Sequence, residues 1–269
     1  MQTEITGPAG RPYIDDDGTG GLPVVFVHSF GGSSAHWAEQ LQHLRAHRRA
    51  VALDLRGHGH SPAPDGDRYA IVDLADDIGA VSDARGLDRF VLVGHSIGGT
   101  AAIAYAGKHP DRVAGLLLVG TPGRVPIEQA DQIMSAMSSD YEETMAGYWD
   151  KLLADATPRV RDQIKSEMGS IPQDVAMSLI GATFADDPVP DLEAYPGPTL
   201  SVTAADSPYD LHKQVPDMPH EQITGTSHWV HMDKPAEFDR ILDSFLARVD
   251  QAEQAGQGVP IGRETVSSR

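Results

Sequence analysis

The chain of 269 residues contains no cysteine. This absence excludes disulfide bonds, thiolate metal ligands and cysteine nucleophiles. The sequence also has no run approaching the roughly 18 apolar residues that a membrane-spanning helix needs. Its first residues lack the basic and apolar regions of a secretory signal. We therefore expect a cytoplasmic protein that does not insert into membranes.

Positive charge is scarce. The sequence has 21 Lys and Arg against 39 Asp and Glu, which gives a formal net charge of −18. Proteins that bind nucleic acids or anionic membranes obtain most of their affinity from basic patches. The composition therefore predicts a small-molecule partner, without nucleic acid or membrane, and it leaves the oligomeric state open.

Cofactor signatures are also missing. The chain has neither a phosphate-binding G-x-x-x-x-G-K-[ST] loop nor a G-x-G-x-x-G turn after a strand. His43 and His47 lie four residues apart in a helical pattern, but Leu44 stands where a zinc hydrolase has glutamate. The sequence therefore predicts no cofactor and no metal.

Short apolar runs alternate with helical patterns over most of the chain. This alternation predicts an α/β fold with a mostly parallel, doubly wound sheet. A short hairpin is expected at residues 2–6 and 12–16. The other predicted strands are residues 23–28, 50–54, 90–93, 114–119, 199–203 and 220–224, and the predicted helices around them are residues 34–46, 71–85, 99–106 and 237–249.

Strand signals vanish between residues 121 and 195, where Pro, Gly and Ser separate four helical patterns, at residues 126–137, 141–153, 158–168 and 172–185. We therefore predict a helical cap at residues 122–195, inserted into a core made of residues 1–121 and 196–250. Residues 251–269 are polar and aperiodic, which predicts a flexible tail.

The strongest functional motif reads Gly-His-Ser-Ile-Gly at residues 94–98. A predicted strand at 90–93 precedes it, and a small, helix-favouring segment at 99–106 follows it. Strand, tight turn and helix are the context of a G-x-S-x-G nucleophile elbow. The motif therefore predicts that Ser96 is a nucleophile exposed at the end of the sheet.

A serine hydroxyl needs a base, and the base needs an orienting acid. Asp206 and His228 follow predicted strands, and they follow Ser96 in the chain order that such a fold requires. Asp210 is the alternative acid and His231 the alternative base. Asp54 precedes the serine, so we expect a different role for it, which is to pair with Arg56 and fix the loop there.

The oxyanion needs two backbone N–H donors. Ile97 directly follows the nucleophile, and Phe30 lies in the glycine-containing loop after the strand at residues 23–28, so these two residues are the expected donors. His28, in the same loop, is expected to bind the loop backbone rather than the substrate.

Substrate contacts are expected from Trp229, Tyr148 and Met137. Residues 126–193 carry 14 Asp and Glu against 4 Lys and Arg, and this excess of negative charge favours a neutral substrate. The alternative is that an arginine turns inward and pairs with a substrate carboxylate, the candidates being Arg124, Arg159 and Arg161.

These segments together resemble the α/β-hydrolase superfamily over about residues 2–250. The matching segments are residues 28–32, residues 54–61, residues 94–99, and His228 with Asp233 and Pro235. Two positions depart from the family pattern, because Thr203 and Ser29 stand where members usually have glycine. The size and the helical cap are similar to those of the esterase, lactonase and carbon–carbon bond hydrolase branch.

The resemblance implies a serine hydrolase of small, neutral carboxylic esters that works through Ser96, His228 and Asp206. A carbon–carbon bond hydrolase or an enol-lactonase would use the same residues. A ligand-binding, receptor-like protein with slow turnover is an alternative of another class, since a fold alone does not define a function.

Overall fold

The structure is a computed structural model, and it describes residues 7, 10–204 and 209–257. Strands and helices alternate through the first half of the chain and again near its end. The strands are β1 (Ile14–Asp17), β2 (Val24–Val27), β3 (Ala50–Leu53), β4 (Phe90–His95), β5 (Val113–Val119), β6 (Thr199–Thr203) and β7 (His220–Gln222). The helices outside the β5–β6 connection are α1 (Ala38–Leu44), α2 (Ile71–Ala84), α3 (Ile97–Lys108), α9 (Val230–Asp233) and α10 (Pro235–Gln257).

Seven strands form one sheet in the order β1-β3-β2-β4-β5-β6-β7. All neighbours are parallel except β1, which pairs antiparallel with β3 at the edge. β1 contains residues of the second strand of the predicted hairpin. The first, residues 2–6, lies outside the described residues. The mostly parallel, doubly wound α/β sheet is confirmed.

Alternate side chains of the strands build a hydrophobic core on each face. In β2, Val25 and Val27 face the core that contains α2 and α3, whereas Val24 and Phe26 face the core that contains α1 and α10. All four are fully buried, and burial of such a side chain contributes about 1.5–3 kcal/mol. Both faces of the sheet are covered by helices, so we expect an accessible site at the ends or edges of the strands rather than on a face.

Five helices connect β5 to β6 in the described chain: α4 (Ile127–Ser139), α5 (Tyr141–Leu152), α6 (Pro158–Glu167), α7 (Gln173–Ala185) and α8 (Pro188–Ala194). We call residues 122–195 the helical insertion. The first four helices match the predicted ones within a few residues. α8 was missed because it is short, with two prolines in its first turn. Asp187 caps it by accepting a hydrogen bond from the Val189 N–H.

The C-terminal helix is longer than predicted. α10 begins at Pro235 and ends at Gln257, so residues 251–257 are helical rather than part of a flexible tail. Arg89 pairs with Glu253, which ties this extra length to the sheet. Within the described residues, no helix combines the length and the apolar character needed to cross a membrane.

Candidate active site

Ser96 occupies a strained turn between β4 and α3. Its φ is +55° and its ψ −122°, a conformation that costs a non-glycine residue about 1–3 kcal/mol. A Cβ atom at Gly94 would collide with the backbone of Gly98, and one at Gly98 would collide with the His28 carbonyl. The glycines of the motif therefore permit the close approach of α3 to the sheet that holds the turn in this conformation.

His228 lies in the loop between β7 and α9. Its N–H donates to the Leu152 carbonyl at the end of α5 (3.0 Å), and its carbonyl accepts a hydrogen bond from Nε2 of His95 (3.0 Å). The imidazole of His228 passes over Gly120, where a Cβ atom would lie 2.8 Å from its Cε1. Gly120 has a φ of +51° and directly follows β5. The carboxyl ends of β4 and β5 thus seat Ser96 and His228 beside the same cavity.

The environment of His228 keeps its imidazole neutral. Burial lowers its pKa from 6.5 to about 4. The imidazole is therefore neutral at pH 7 and able to accept a proton. His95, which holds the carbonyl of His228, is also neutral, because burial lowers its pKa well below the ordinary value. This contact of His95 was not predicted from the sequence, because the only signal for it is the position of His95 next to Ser96 in the motif.

Asp206 lies outside the described residues, in the segment 205–208 after β6. The alternative acid, Asp210, is nearly buried, lines the cavity and forms a β-bridge with Pro122. The assignment of the acid therefore stays a prediction.

His231, the alternative base, is fully buried in α9. Its ring stacks on Trp37 at a centroid distance of 4.0 Å and also contacts Phe238. It does not line the cavity that Ser96 and His228 share.

The loop after β2 is fixed by His28. Nε2 of His28 accepts the Leu55 N–H (2.9 Å), so Nδ1 carries the proton and donates to the Ser29 carbonyl (2.7 Å). Burial lowers the pKa of His28 and keeps the ring neutral. His28 therefore binds loop backbone, as expected.

The predicted oxyanion donors flank the serine. Phe30 and Ile97 both line the cavity. Within the described chain, neither N–H donates to another residue. Two backbone donors are thus available beside Ser96, one of them in the first turn of α3, where the helix dipole favours negative charge.

Asp54 does not pair with Arg56, and that prediction was wrong. The carboxylate of Asp54 is buried and accepts the N–H groups of Ser34 (2.6 Å) and His60 (2.8 Å). Arg56 instead donates Nε to Asp77 of α2 (2.6 Å). The carboxylate of Asp54 already accepts two backbone N–H groups. The guanidinium of Arg56 is also buried, and a buried charge needs a charged partner of its own, which Asp77 supplies.

A cavity of about 500 Å³ opens above the serine. Ser96, His228, Phe30 and Ile97 form its floor with the strand ends, and α4, α5 and α7 of the insertion form much of the remaining wall. This volume is in the range of small-molecule sites.

The three predicted substrate contacts differ in position. Tyr148 lines the cavity, and the residue as a whole is 37% exposed. Its hydroxyl group is surrounded by protein, and this burial raises the pKa of the hydroxyl to about 12. Trp229 is 1% exposed and lies behind His228, where it stacks with Trp149 at 6.0 Å. Met137 is 1% exposed and packs in the core. The structure therefore brings only Tyr148 to the main cavity.

Few charges face this cavity. Its charged wall residues are Lys151, Asp155 and Asp210, the first two of them exposed. None of the three candidate arginines lines it. Arg159 donates to the Met232 carbonyl, Arg161 to the carbonyls of Leu153 and Ala154, and Arg124 lines a separate groove.

Asp233 joins the insertion to the histidine loop. Its Oδ1 accepts hydrogen bonds from the Thr157 N–H (2.7 Å) and hydroxyl (2.9 Å), at the start of α6. Its Oδ2 accepts the Ser227 N–H (2.9 Å) and hydroxyl (2.5 Å), directly before His228. One carboxylate thus receives four hydrogen bonds and fixes two segments that border the cavity.

Metal-binding side chains do not converge in the described part of the chain, where no group of three His, Asp or Glu has a suitable arrangement. His43, noted in the sequence, is hydrogen-bonded to Asp243 of α10.

Residues 23–174 match the family model of the alpha/beta hydrolase fold. The chain belongs to the alpha/beta hydrolase fold family. This match spans β2, the elbow and most of the insertion.

Similar proteins of this family span nearly the whole chain. "Putative carbamate hydrolase RutD" of Variovorax paradoxus is 32% identical, over 97% of this chain and 99% of its own. The 2-hydroxy-6-oxo-2,4-heptadienoate hydrolase of Pseudomonas putida is 27% identical, over 86% and 91%. A thermophilic esterase from Thermogutta terrifontis has a similar solved structure, with a TM-score of 0.79, 26% identity and coverage of 93% and 99%.

Proposed function

We propose that this α/β-hydrolase is a serine esterase that cleaves neutral carboxylic esters through an acyl-enzyme. The observation that carries the proposal is the strained Ser96, which shares one cavity with a neutral, half-buried His228 and two available backbone donors.

The proposed reaction has two stages. Ser96 Oγ attacks the ester carbonyl while the imidazole of His228 takes the hydroxyl proton, and the oxyanion is held by the N–H groups of Phe30 and Ile97. The bond to the alcohol then breaks, and the alcohol leaves with the proton from His228. In the second stage water adds to the acyl carbon, gives a proton to His228 and releases the acid, and the proton returns to Ser96. Asp206 orients the imidazole.

The cavity supports a neutral substrate. A carboxylate is normally recognised by arginine in a bidentate contact. The described wall has no arginine, and its single cation is the exposed Lys151. A neutral ester fits this wall without an unpaired charge.

Carbon–carbon bond hydrolysis or enol-lactone hydrolysis is the second candidate. Its support is the similarity to the heptadienoate hydrolase of Pseudomonas putida, and it would use the same serine and histidine. A receptor-like protein would keep the cavity but turn over slowly.

A fluorophosphonate probe tests whether Ser96 reacts, and a panel of p-nitrophenyl esters, lactones and vinylogous diketones separates the candidates. We expect labelling and ester hydrolysis in the wild type and neither in Ser96→Ala, with unchanged circular dichroism. Removal of a triad member lowers kcat by several powers of ten. Ester hydrolysis by Ser96→Ala at a near wild-type rate would refute the assignment, and turnover of diketones alone would favour the second candidate.

A further inference from the structure

A second cavity of about 510 Å³ lies beside the catalytic one. The two cavities share two wall residues, Val125 and Phe184. We call the second cavity the outer groove. Its other lining residues do not line the catalytic cavity.

The two cavities lie on different sides of the α4–α7 pair. On α4, Gln129 and Ile133 face the catalytic cavity, whereas Ala130 and Met134, one position further along, face the outer groove. Only Phe184 of α7 lines both spaces. Its ring therefore stands between the cavity of the serine and the outer groove.

The position of His228 gives the direction of a bound ester. The leaving alcohol must receive its proton from His228, and the backbone of His228 is bonded to Leu152 at the end of α5. The wall near Leu152 includes the exposed Lys151 and Asp155. The acyl chain, on the other side of the carbonyl carbon, therefore points toward α4 and α7.

The acyl side is mainly apolar, and Gln129 and Thr183 are its polar side chains on α4 and α7. Ile133, Leu179 and Ile180 line it on the inner side of Phe184. Beyond Phe184 the outer groove exposes Ile127, which at 68% is more accessible than any other large hydrophobic side chain of the described residues. Val125, Ala130 and Met134 continue its apolar wall, and Arg124, Asp131, Asp186 and Asp187 also line the groove.

We propose that Phe184 determines specificity by setting the length of the acyl chain, and that the outer groove binds the end of a linear fatty acyl chain once this ring moves aside. This inference rests on the proposed esterase function. It extends the substrate class from neutral esters in general to esters of unbranched fatty acids.

The test compares kcat/KM for p-nitrophenyl esters from butyrate to dodecanoate. Phe184→Ala should raise the ratio of dodecanoate to butyrate by about tenfold, because about two more methylene groups are buried. Phe184→Leu should give a smaller rise in the same direction. Met177→Ala is the matched control, because Met177 lies on the same helix but lines neither cavity, and it should not favour the longest chain in this way.

A double variant tests whether the groove itself receives the chain. Ala185 is exposed and lines only the outer groove, so Phe184→Ala with Ala185→Trp should lose the preference for dodecanoate. An unchanged chain-length ratio in both Phe184 variants, or an equal gain in Met177→Ala, would overturn the inference.

A binding measurement separates this inference from the esterase proposal. Intact methyl dodecanoate is titrated into Ser96→Ala and into Ser96→Ala with Phe184→Ala, so that no turnover is needed. Tighter binding to the double variant supports the outer groove even if Ser96 is not the nucleophile. Equal binding counts against the groove even if the wild type is an active esterase.

Discussion

Acid should destabilise this protein through its buried histidines. Four imidazoles, those of His28, His58, His95 and His231, are buried, and that of His228 is half-buried beside the cavity. Burial lowers the pKa of each of the five below 6.5. In the folded chain they stay neutral between pH 6.5 and 5.5, whereas in the unfolded chain they take up protons. The unfolded state thus binds more protons, so the free energy of unfolding falls as the pH falls.

The size of the effect follows from the linkage relation. A histidine that titrates at 6.5 when unfolded and near 4 when folded loses about 1 kcal/mol of stability between pH 6.5 and 5.5. His58 and His228, whose folded pKa is about 4, together lose about 2 kcal/mol. His28, His95 and His231 lose stability in the same direction, and even a loss of about 2 kcal/mol is a large fraction of the stability of many domains. Burial raises the pKa of Asp186 to about 6, so the folded state takes up a proton there before the unfolded state does. This uptake offsets part of the stability that one histidine loses over the same pH range.

Urea unfolding at several pH values measures this loss. His231→Phe is the informative variant, because its ring would remain between Trp37 and Phe238 but could not be protonated. Its loss of stability from pH 6.5 to 5.5 should be smaller than that of the wild type, because burial lowers the pKa of His231 in the folded wild type. His47→Gln, at an exposed position, is the control and should keep the wild-type slope. A wild-type stability that is flat over this range would refute the reasoning.

Three further predictions concern the site. Asp206→Asn should keep the fold and lower kcat by about 10⁴-fold, whereas Asp210→Asn should lower it far less; the reverse order, measured by steady-state kinetics with a matched folding check, would move the acid to Asp210. A neutral ester should be cleaved with a higher kcat/KM than its ω-carboxylate analogue, most clearly at low salt, and a preference for the anion that weakens with added salt would contradict this. Asp233→Asn should lower kcat more than it changes KM, because the amide keeps only one accepting oxygen and its NH2 group cannot accept the donors of the other segment, Ser227 or Thr157; the check is whether Thr157→Val, on the insertion side alone, gives a weaker effect on kcat, and equal effects would refute a positioning role.

The local patterns predicted most of the fold. The elbow was readable because strand, glycine turn and small-residue helix are adjacent in sequence, and the four long insertion helices were readable because Pro, Gly or Ser separates them. Short or edge elements were less readable. β1 forms its only described pairing with β3, which depends on residues far along the chain.

Long-range polar contacts were the least predictable part. Arg56 was expected to use the acid two residues away, but it reaches Asp77 of α2 instead. The contact of His95 with the carbonyl of His228 joins residues 133 positions apart. Such pairs depend on how elements pack, and nothing in the spacing of the residues indicates them.

The aromatic rings around the site provide an intrinsic fluorescence signal that depends on the position of the insertion. Phe30 stacks on Trp149 of the insertion at 5.6 Å, Trp149 stacks on Trp229, and Trp229 borders His228. The chain has 3 tryptophans, and the third, Trp37, stacks on His231. Any displacement of α5 from the sheet would separate Trp149 from its ring partners on both sides. The intrinsic emission of the unlabelled protein should therefore report, in real time, any movement of the insertion relative to the sheet.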